Sequence, residues 1–409
     1  MGQRDPGLRR ELPQEPVAGD DLPPLERVLE AELPAAVALR HELHAGAELS
    51  HHEGDTRERL VAFLGGDYER VAGKSLLFGA AVGPRPIVVL RAEMDALPLE
   101  EATEVEWASG TGAMHACGHD VHMAALAAAM RALRRLRPPL PVSARALFQH
   151  SEESYPSGAE EVVASGALED AAAVIACHVH PDVPWQAVAA DAGPVNAAVD
   201  FFTVRVLGAP GHSAYPHQAR DAIAALCQIV GNLQQVAARS MDPTHGHVVS
   251  IGYIRAGSAP NALPGSAEAG GSLRALDPGD RERMRNLVHE VATGIARAWG
   301  CDAEIEITPG EPALVNDSKL AGAVRSRLAQ WGFATGGEMR SCGSDDFGFF
   351  STTAPSLMSF VGVGGALAGP DVSLHHPRFL PPDDAVGAVA RAYAAALLGA
   401  ADLYGATNA

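Results

Sequence analysis

The sequence predicts an α/β protein: a mostly parallel sheet covered by helices, interrupted by a separate ferredoxin-like βαββαβ unit. Three observations carry this expectation. Between about Ala31 and Ala190, helical patterns alternate with short β-rich runs, the pattern of a parallel sheet with helical crossovers. From about Ala197 the order changes to strand, helix, two strands, helix and strand, which is the split βαβ arrangement. After about Glu311 helix and strand alternate again. A second domain (195–309) inserted into a larger, discontinuous one (25–194 plus 310–409) is the simplest account.

The segment from Met1 to Pro24 mixes Pro, Gly and charged residues without periodicity and reads as a disordered N-terminal extension (1–24). The best strands of the larger domain are Pro86–Arg91, Val142–Gln149 and Ala172–Cys177. Each is followed at once by polar residues able to ligate: Glu93 and Asp95, then Glu152 and Glu153, then His178 and His180. Open α/β sheets bind ligands beyond the carboxyl ends of their strands, so these groups could share one crevice. A helix of about Val121–Leu136 follows His115–Asp120.

The inserted unit reads as a strand (Val199–Leu207), a helix (Asp221–Arg239), strands His247–Arg255 and Ser266–Leu276, a helix near 278–299 and a strand (Ala303–Thr308). Its second helix has the clearest signals. Asp277 is placed to cap it, Pro278 opens it, and Met284, Leu287, Val288, Val291 and Ile295 recur at three- and four-residue spacing. Further helices are expected at Ser318–Trp331 and Asp384–Leu398.

Composition removes several function classes. The 409 residues carry 31 Lys+Arg against 50 Asp+Glu, a net charge of −19, which is the wrong sign for a nucleic-acid surface. No run of about 20 apolar residues or apolar leader core is evident, so no membrane partner is expected. Five scattered cysteines do not form a disulfide framework, which suits a reducing, cytoplasmic setting. There is no phosphate-binding Gly-x-x-x-x-Gly-Lys loop and no His-Glu-x-x-His helix.

The densest polar cluster is Met114-His-Ala-Cys-Gly-His-Asp-Val-His122. Cys117, His119, Asp120 and His122 within one short segment offer thiolate, imidazole and carboxylate, donors suited to Zn²⁺ and its transition-metal neighbours. The plainer alternative is a polar loop with Asp120 capping a helix. Glu152 and Glu153 end a strand, where adjacent carboxylates repel unless a cation separates their roles. One could then ligate while its neighbour serves as a general base.

Taken in order, the segments resemble one family: the metal-dependent aminoacylase, carboxypeptidase-G-like amidohydrolases, which include hippurate hydrolases and auxin-conjugate hydrolases. The resemblance runs from about Leu39 to Ala395 through Leu39–His44, Glu48–Ser50, Arg91–Pro98, Met114–Asp120, Phe148–Gln149 with Glu152–Glu153, His178, Gly211–His212, Asn261, Arg274, Asp345–Phe347 and Leu374–Phe379. It implies a zinc-peptidase-like catalytic domain with a lid or dimerisation domain, and a homodimer through the lid. It also implies two divalent metal ions on Cys117, His119, Glu153, His178 and His375, with Zn²⁺ expected and Mn²⁺, Co²⁺ or Ni²⁺ as alternatives. Glu152 matches the general base and Asp95 an orienting acid. His212 matches a residue that stabilises the oxyanion, often in the partner subunit's site, while Asn261 and Arg274 match residues that grip the substrate carboxylate. Three departures stand out: Glu93 in place of Asp, Ala47 in place of Pro, and His150-Ser151 in place of Pro-Ala. His150 could add a ligand or line the acyl pocket, and Tyr215 could shape that pocket or pack as an ordinary aromatic.

The expected activity is hydrolysis of the amide of N-acyl amino acids to a carboxylic acid and a free amino acid. The alternatives are a dipeptidase or carboxypeptidase acting on short peptides and, from another class, a non-catalytic metal- or ligand-binding homologue.

Overall fold

The computed structural model describes residues 24–79, 85–369 and 371–405. The expected N-terminal extension therefore lies outside the described residues, except that Pro24 already opens a helix, Pro24–Glu30. The larger sheet has eight strands, in the order Tyr68–Val71, Ser75–Phe78, Ser143–Gln149, Ile87–Glu93, Ala171–Pro184, Ser356–Gly364, Ala187–Ala189 and Ala334–Thr335. Its four central strands are mutually parallel. Every residue of Ile87–Glu93 is buried, as a strand covered on both faces requires.

Helices Leu33–Ala45, His119–Arg135, Ser318–Gln330 and Asp384–Tyr404 contribute to the main core on one face. A second cluster, with Val162 and Phe350 from short helices and Phe347 from the turn before the second of them, covers the other. Asp384–Tyr404 is the one described helix long and apolar enough to cross a membrane, but it is packed into this core, with Val389, Tyr393 and Leu397 fully buried.

The second sheet is antiparallel throughout, in the order His247–Ala256, Ser266–Ala275, Ala198–Leu207 and Asp302–Pro309. Along Ala198–Leu207, Phe202, Val204 and Val206 point into a separate core while Phe201 and Arg205 are exposed, the alternation of a sheet covered on one face. Helices Ala222–Ser240 and Pro278–Ala298 supply the rest of that core. Asp221 accepts the Ala224 N–H at 3.0 Å, and Asp277 accepts those of Gly279 and Asp280, so both acidic residues cap their helices.

One strand departs from expectation. The run expected to stop at Cys177 continues as Ala171–Pro184, so His178 and His180 lie within a strand rather than after it. Parallel pairing with Ser356–Gly364, which sets Phe360 opposite His178, carries the ladder past the apolar run. Asp120 also differs from the capping alternative. Gly118 is the residue before helix His119–Arg135, with φ +89°, and Asp120 lies inside the first turn. A Cβ on Gly118 would come within 2.4 Å of Val179 Cγ2, so this left-handed turn has room only for glycine.

Candidate metal centre

Four chain segments converge at the carboxyl ends of the parallel strands. The turn before helix His119–Arg135 contributes Cys117, the helix start His119, and strand Ala171–Pro184 His178. The turn after Ser143–Gln149 contributes Glu152 and Glu153, and a loop near the C-terminus His375. Ser151 and His375 both have positive φ, +50° and +63°, so two of these turns are held in conformations that L-residues seldom adopt.

Cys117 Sγ lies 3.5 Å from His178 Nε2. Glu153 Oε1 lies 3.4 Å from His375 Nε2 and 3.9 Å from His119 Nε2, and Glu152 Oε2 lies 3.8 Å from His119 Nε2. The donor atoms of Cys117, His119 and His178 fall within 4.8 Å of one another, as do those of Cys117, Glu153 and His375. These two overlapping triads share the cysteine.

The hydrogen-bonding state of these groups fits a cation. His119 Nδ1 donates to the Asp95 carbonyl at 2.8 Å and His178 Nδ1 to the Val179 carbonyl at 2.7 Å. Each ring therefore turns its Nε2 lone pair toward the cluster, as an outer hydrogen bond to a metal-binding imidazole does. His119 Nε2 and Glu153 Oε1 are buried without a hydrogen-bond partner, which is costly unless something else occupies the space between them.

Electrostatics agree. Burial, reinforced by Glu153 and Glu152, pushes the Cys117 thiol up, and burial beside Glu153 and Asp345 raises Glu152 well above the usual carboxylate range. Burial, with His122 and His119 nearby, holds His178 neutral. For His119, burial opposes charge, but the Asp95 carboxylate outweighs it and raises the pKa. Acids crowded without compensating charge form a site that a cation relieves.

Asp95 supports the cluster from behind. Its Oδ2 accepts from Ser50 Oγ at 2.6 Å and from the Glu153 N–H at 2.9 Å, while its carbonyl fixes His119. In the sequence Asp345 is only part of the Asp345–Phe347 motif, with no role attached to it. The fold places its carboxylate within 4.8 Å of those of Glu152 and Asp346. Together with Cys117, Glu152, His178, Asn196 and His375 it lines a cavity of about 280 Å³.

The three residues expected from the inserted unit are not part of this cluster. His212 and Asn261 are both exposed; His212 pairs with Ala262 on a short ladder, and beside it the Ser213 N–H donates to the Asn261 carbonyl at 3.2 Å. Arg274 comes nearer, donating to the Cys342 carbonyl at 3.1 Å, and Cys342 lies between the cavity-lining residues Ser341 and Gly343.

Two side chains do something other than was expected. His150 neither ligates nor lines the cavity: it is fully buried between Ser75 Oγ at 2.7 Å and Glu161 Oε2 at 2.9 Å. Tyr215 is 54% exposed beside His212, so it neither packs as a core aromatic nor reaches the cavity.

A model of peptidase family M20/M25/M40 matches residues 89–399, about three quarters of the sequence. The chain belongs to this family. Membership makes it a hydrolase of amide bonds, in agreement with the aminoacylase group that its motifs resemble. An N-acetylcysteine deacetylase of Bacillus subtilis is 31% identical, over 88% of this chain and 94% of that relative. An N-acyl-L-amino acid amidohydrolase of Geobacillus stearothermophilus is 36% identical, over 71% of this chain and 80% of its own. Among solved structures, the YXEP protein of Bacillus subtilis, described as a dinuclear metal binding peptidase from the M20 family, is 28% identical with a TM-score of 0.81. That match covers 92% of this M20 chain and 99% of the other.

Proposed function

We propose that this M20 member hydrolyses the amide bond of N-acyl amino acids, with two divalent ions held by Cys117, His119, Glu153, His178 and His375. The observation that carries the reading is the convergence of bare imidazole nitrogens on a buried thiol and an unpartnered carboxylate oxygen. Zn²⁺ suits the thiol and imidazoles best, and Mn²⁺, Co²⁺ and Ni²⁺ share enough of that preference to compete. When bound, such ions polarise a carbonyl oxygen and bring the pKa of water down toward about 7.

Glu152 is the general base. It lines the cavity, faces His119 at 3.8 Å and is pressed toward the protonated state by burial and its acidic neighbours. A carboxylate with raised proton affinity can take a proton from water and pass it to the leaving nitrogen. Asp95 orients, holding the His119 tautomer through its carbonyl and the Glu153 backbone through its carboxylate.

The described residues lining the cavity include three carboxylates and no lysine or arginine. A substrate carboxylate must therefore be met from outside it, which supports Arg274 and Asn261 on the inserted unit as its receptors, with His212 stabilising the oxyanion. On this reading 195–309 is a ferredoxin-like lid and dimerisation domain, and 25–194 plus 310–409 is the catalytic domain of a cytoplasmic homodimer. All five cysteines are free, as a reducing compartment would have them.

The test is amine release from a panel of N-acyl amino acids and dipeptides with Zn²⁺, Mn²⁺ or Co²⁺ and a chelated control. Chelator-sensitive release from acyl amino acids is expected. Preference for peptides with a free amino terminus would replace the reading with a dipeptidase, and binding without turnover would make the chain a non-catalytic homologue.

A further inference from the structure

His122 lies in the first turn of helix His119–Arg135 and is fully buried. Its Nε2 is 2.9 Å from the Val179 backbone nitrogen. A backbone N–H can only donate, so Nε2 must be the acceptor and the ring proton sits on Nδ1. That proton points at Glu93 Oε2, 2.8 Å away. The other oxygen of Glu93 accepts from Arg91 Nη1, and Arg91 is itself fixed by Gln149 Oε1 at 2.8 Å and Asp346 Oδ1 at 2.6 Å. Val179 then closes the chain of contacts, because its carbonyl accepts the Nδ1 proton of His178 at 2.7 Å.

The donor atoms of Glu93, His119 and His122 also fall within 4.8 Å of one another, which invites reading them as another ion site. Hydrogen bonding argues otherwise. Both nitrogens of His122 and both oxygens of Glu93 already have protein partners, whereas His119 Nε2 has none. Residues so engaged orient a ligand rather than act as one.

We infer that His122, itself oriented by Glu93, is a positioning residue that fixes Val179 and thereby the ring and tautomer of His178. The inference rests on the metal-binding reading above. Its physical content is that a strand residue bearing a ligand needs its backbone anchored on the side where the chain runs past the helix. Gly118 packs against the Val179 side chain and His122 takes its N–H, so the helix start holds Val179 at two points. The length of the Glu93 side chain supplies the reach to His122 Nδ1.

The experiment uses the full chain stripped of ions, with His122→Ala, His122→Gln and Glu93→Asp. Zn²⁺ affinity and stoichiometry are measured by competition with a chromogenic chelator, Co²⁺ loading by its absorption spectrum, and folding of the ion-free proteins by thermal melting. Removing an outer partner of a ligand histidine typically costs about 10- to 100-fold in affinity, so His122→Ala should lose that much for one of two ions. His122→Gln keeps an acceptor where Nε2 stood and should recover most of the loss, and Glu93→Asp should fall between. A merely structural role would lower the melting temperature and leave Zn²⁺ affinity and the Co²⁺ spectrum unchanged. Wild-type affinity in folded His122→Ala, or equal impairment of the Gln and Ala variants, overturns the inference while leaving the metal site in place. A wild-type chain that takes up no ions overturns both.

Discussion

Cys117 Sγ and His178 Nε2 face each other across 3.5 Å, with the histidine proton turned away onto the Val179 carbonyl. The pair offers one soft and one borderline donor. Burial and the nearby carboxylates favour a protonated Cys117, whereas a bound cation favours the thiolate. Cys117→Ser is therefore expected to weaken Zn²⁺ and Co²⁺ by ~10-fold or more, with a smaller effect on Mn²⁺, which prefers oxygen. Co²⁺-loaded protein should show thiolate-to-metal charge-transfer absorption that vanishes in the variant. An identical spectrum from both proteins would remove Cys117 from the ligand set.

Glu152 is half-buried beside Glu153, Asp345 and Asp346, each of which adds to the effect of burial in raising its proton affinity. Glu152→Gln should lower turnover by about 10² to 10⁴ while fold and ion content remain. Asp345→Asn removes one of the repelling charges, so the Glu152 pKa should fall and the acid limb of kcat/KM should move to lower pH. A limb that stays in place, measured with the same metal loading, would separate Asp345 from the base.

Much of this arrangement is legible in the sequence because apolar runs such as Pro86–Arg91 end where acids and histidines begin, and such ends converge in a parallel sheet. The reach of Ala171–Pro184 was not legible, since its extension depends on pairing with Ser356–Gly364, which is distant in the chain. Asp120 was hidden for a similar reason. Its carboxylate accepts from Arg40 Nε at 2.9 Å and pairs with His44 Nδ1 at 3.0 Å, both on helix Leu33–Ala45. A signal existed: Arg40 and His44 are four residues apart and lie with Ala36, Leu39 and Leu43 on the buried face, where charges need partners. His150 looked available for the cavity because sequence proximity to Glu152 says nothing of side-chain direction, and Ser75 and Glu161 come from other elements.

His44 carries a pH dependence of its own. Burial opposes its charge, but carboxylates of Asp120 and Glu101, one at each ring nitrogen, outweigh burial and raise its pKa from 6.5 to about 9. A histidine raised on folding stabilises fully below its unfolded pKa and loses that contribution as pH climbs through the folded value. This difference corresponds to about 3 kcal/mol below about pH 6.5, lost as the pH rises from there to about 9. The melting temperature of the ion-free protein should fall across that window, and His44→Gln should start lower and vary less. Parallel profiles for the two proteins would mean that His44 is not held as a cation.

His212 and Glu152 allow a test of assembly as well as chemistry. His212 is exposed on the inserted unit, outside the residues lining the cavity, whereas Glu152 lines it. If the lid pairs two subunits and His212 completes the partner's site, each site draws its base from one chain and its oxyanion donor from the other. Glu152→Gln and His212→Ala homodimers are then both inactive, but a mixed dimer contains one complete site. Equal co-expression should restore about a quarter of wild-type activity, because half the dimers are mixed and each has one of two sites intact. Ion content should be unchanged in every combination, since His212 holds no ion. The measurement is amine release from the co-purified mixture against each variant alone. No recovery, with mixed dimers verified by differential tagging, would place His212 in its own subunit's site, and an active His212→Ala homodimer would put it outside the reaction altogether.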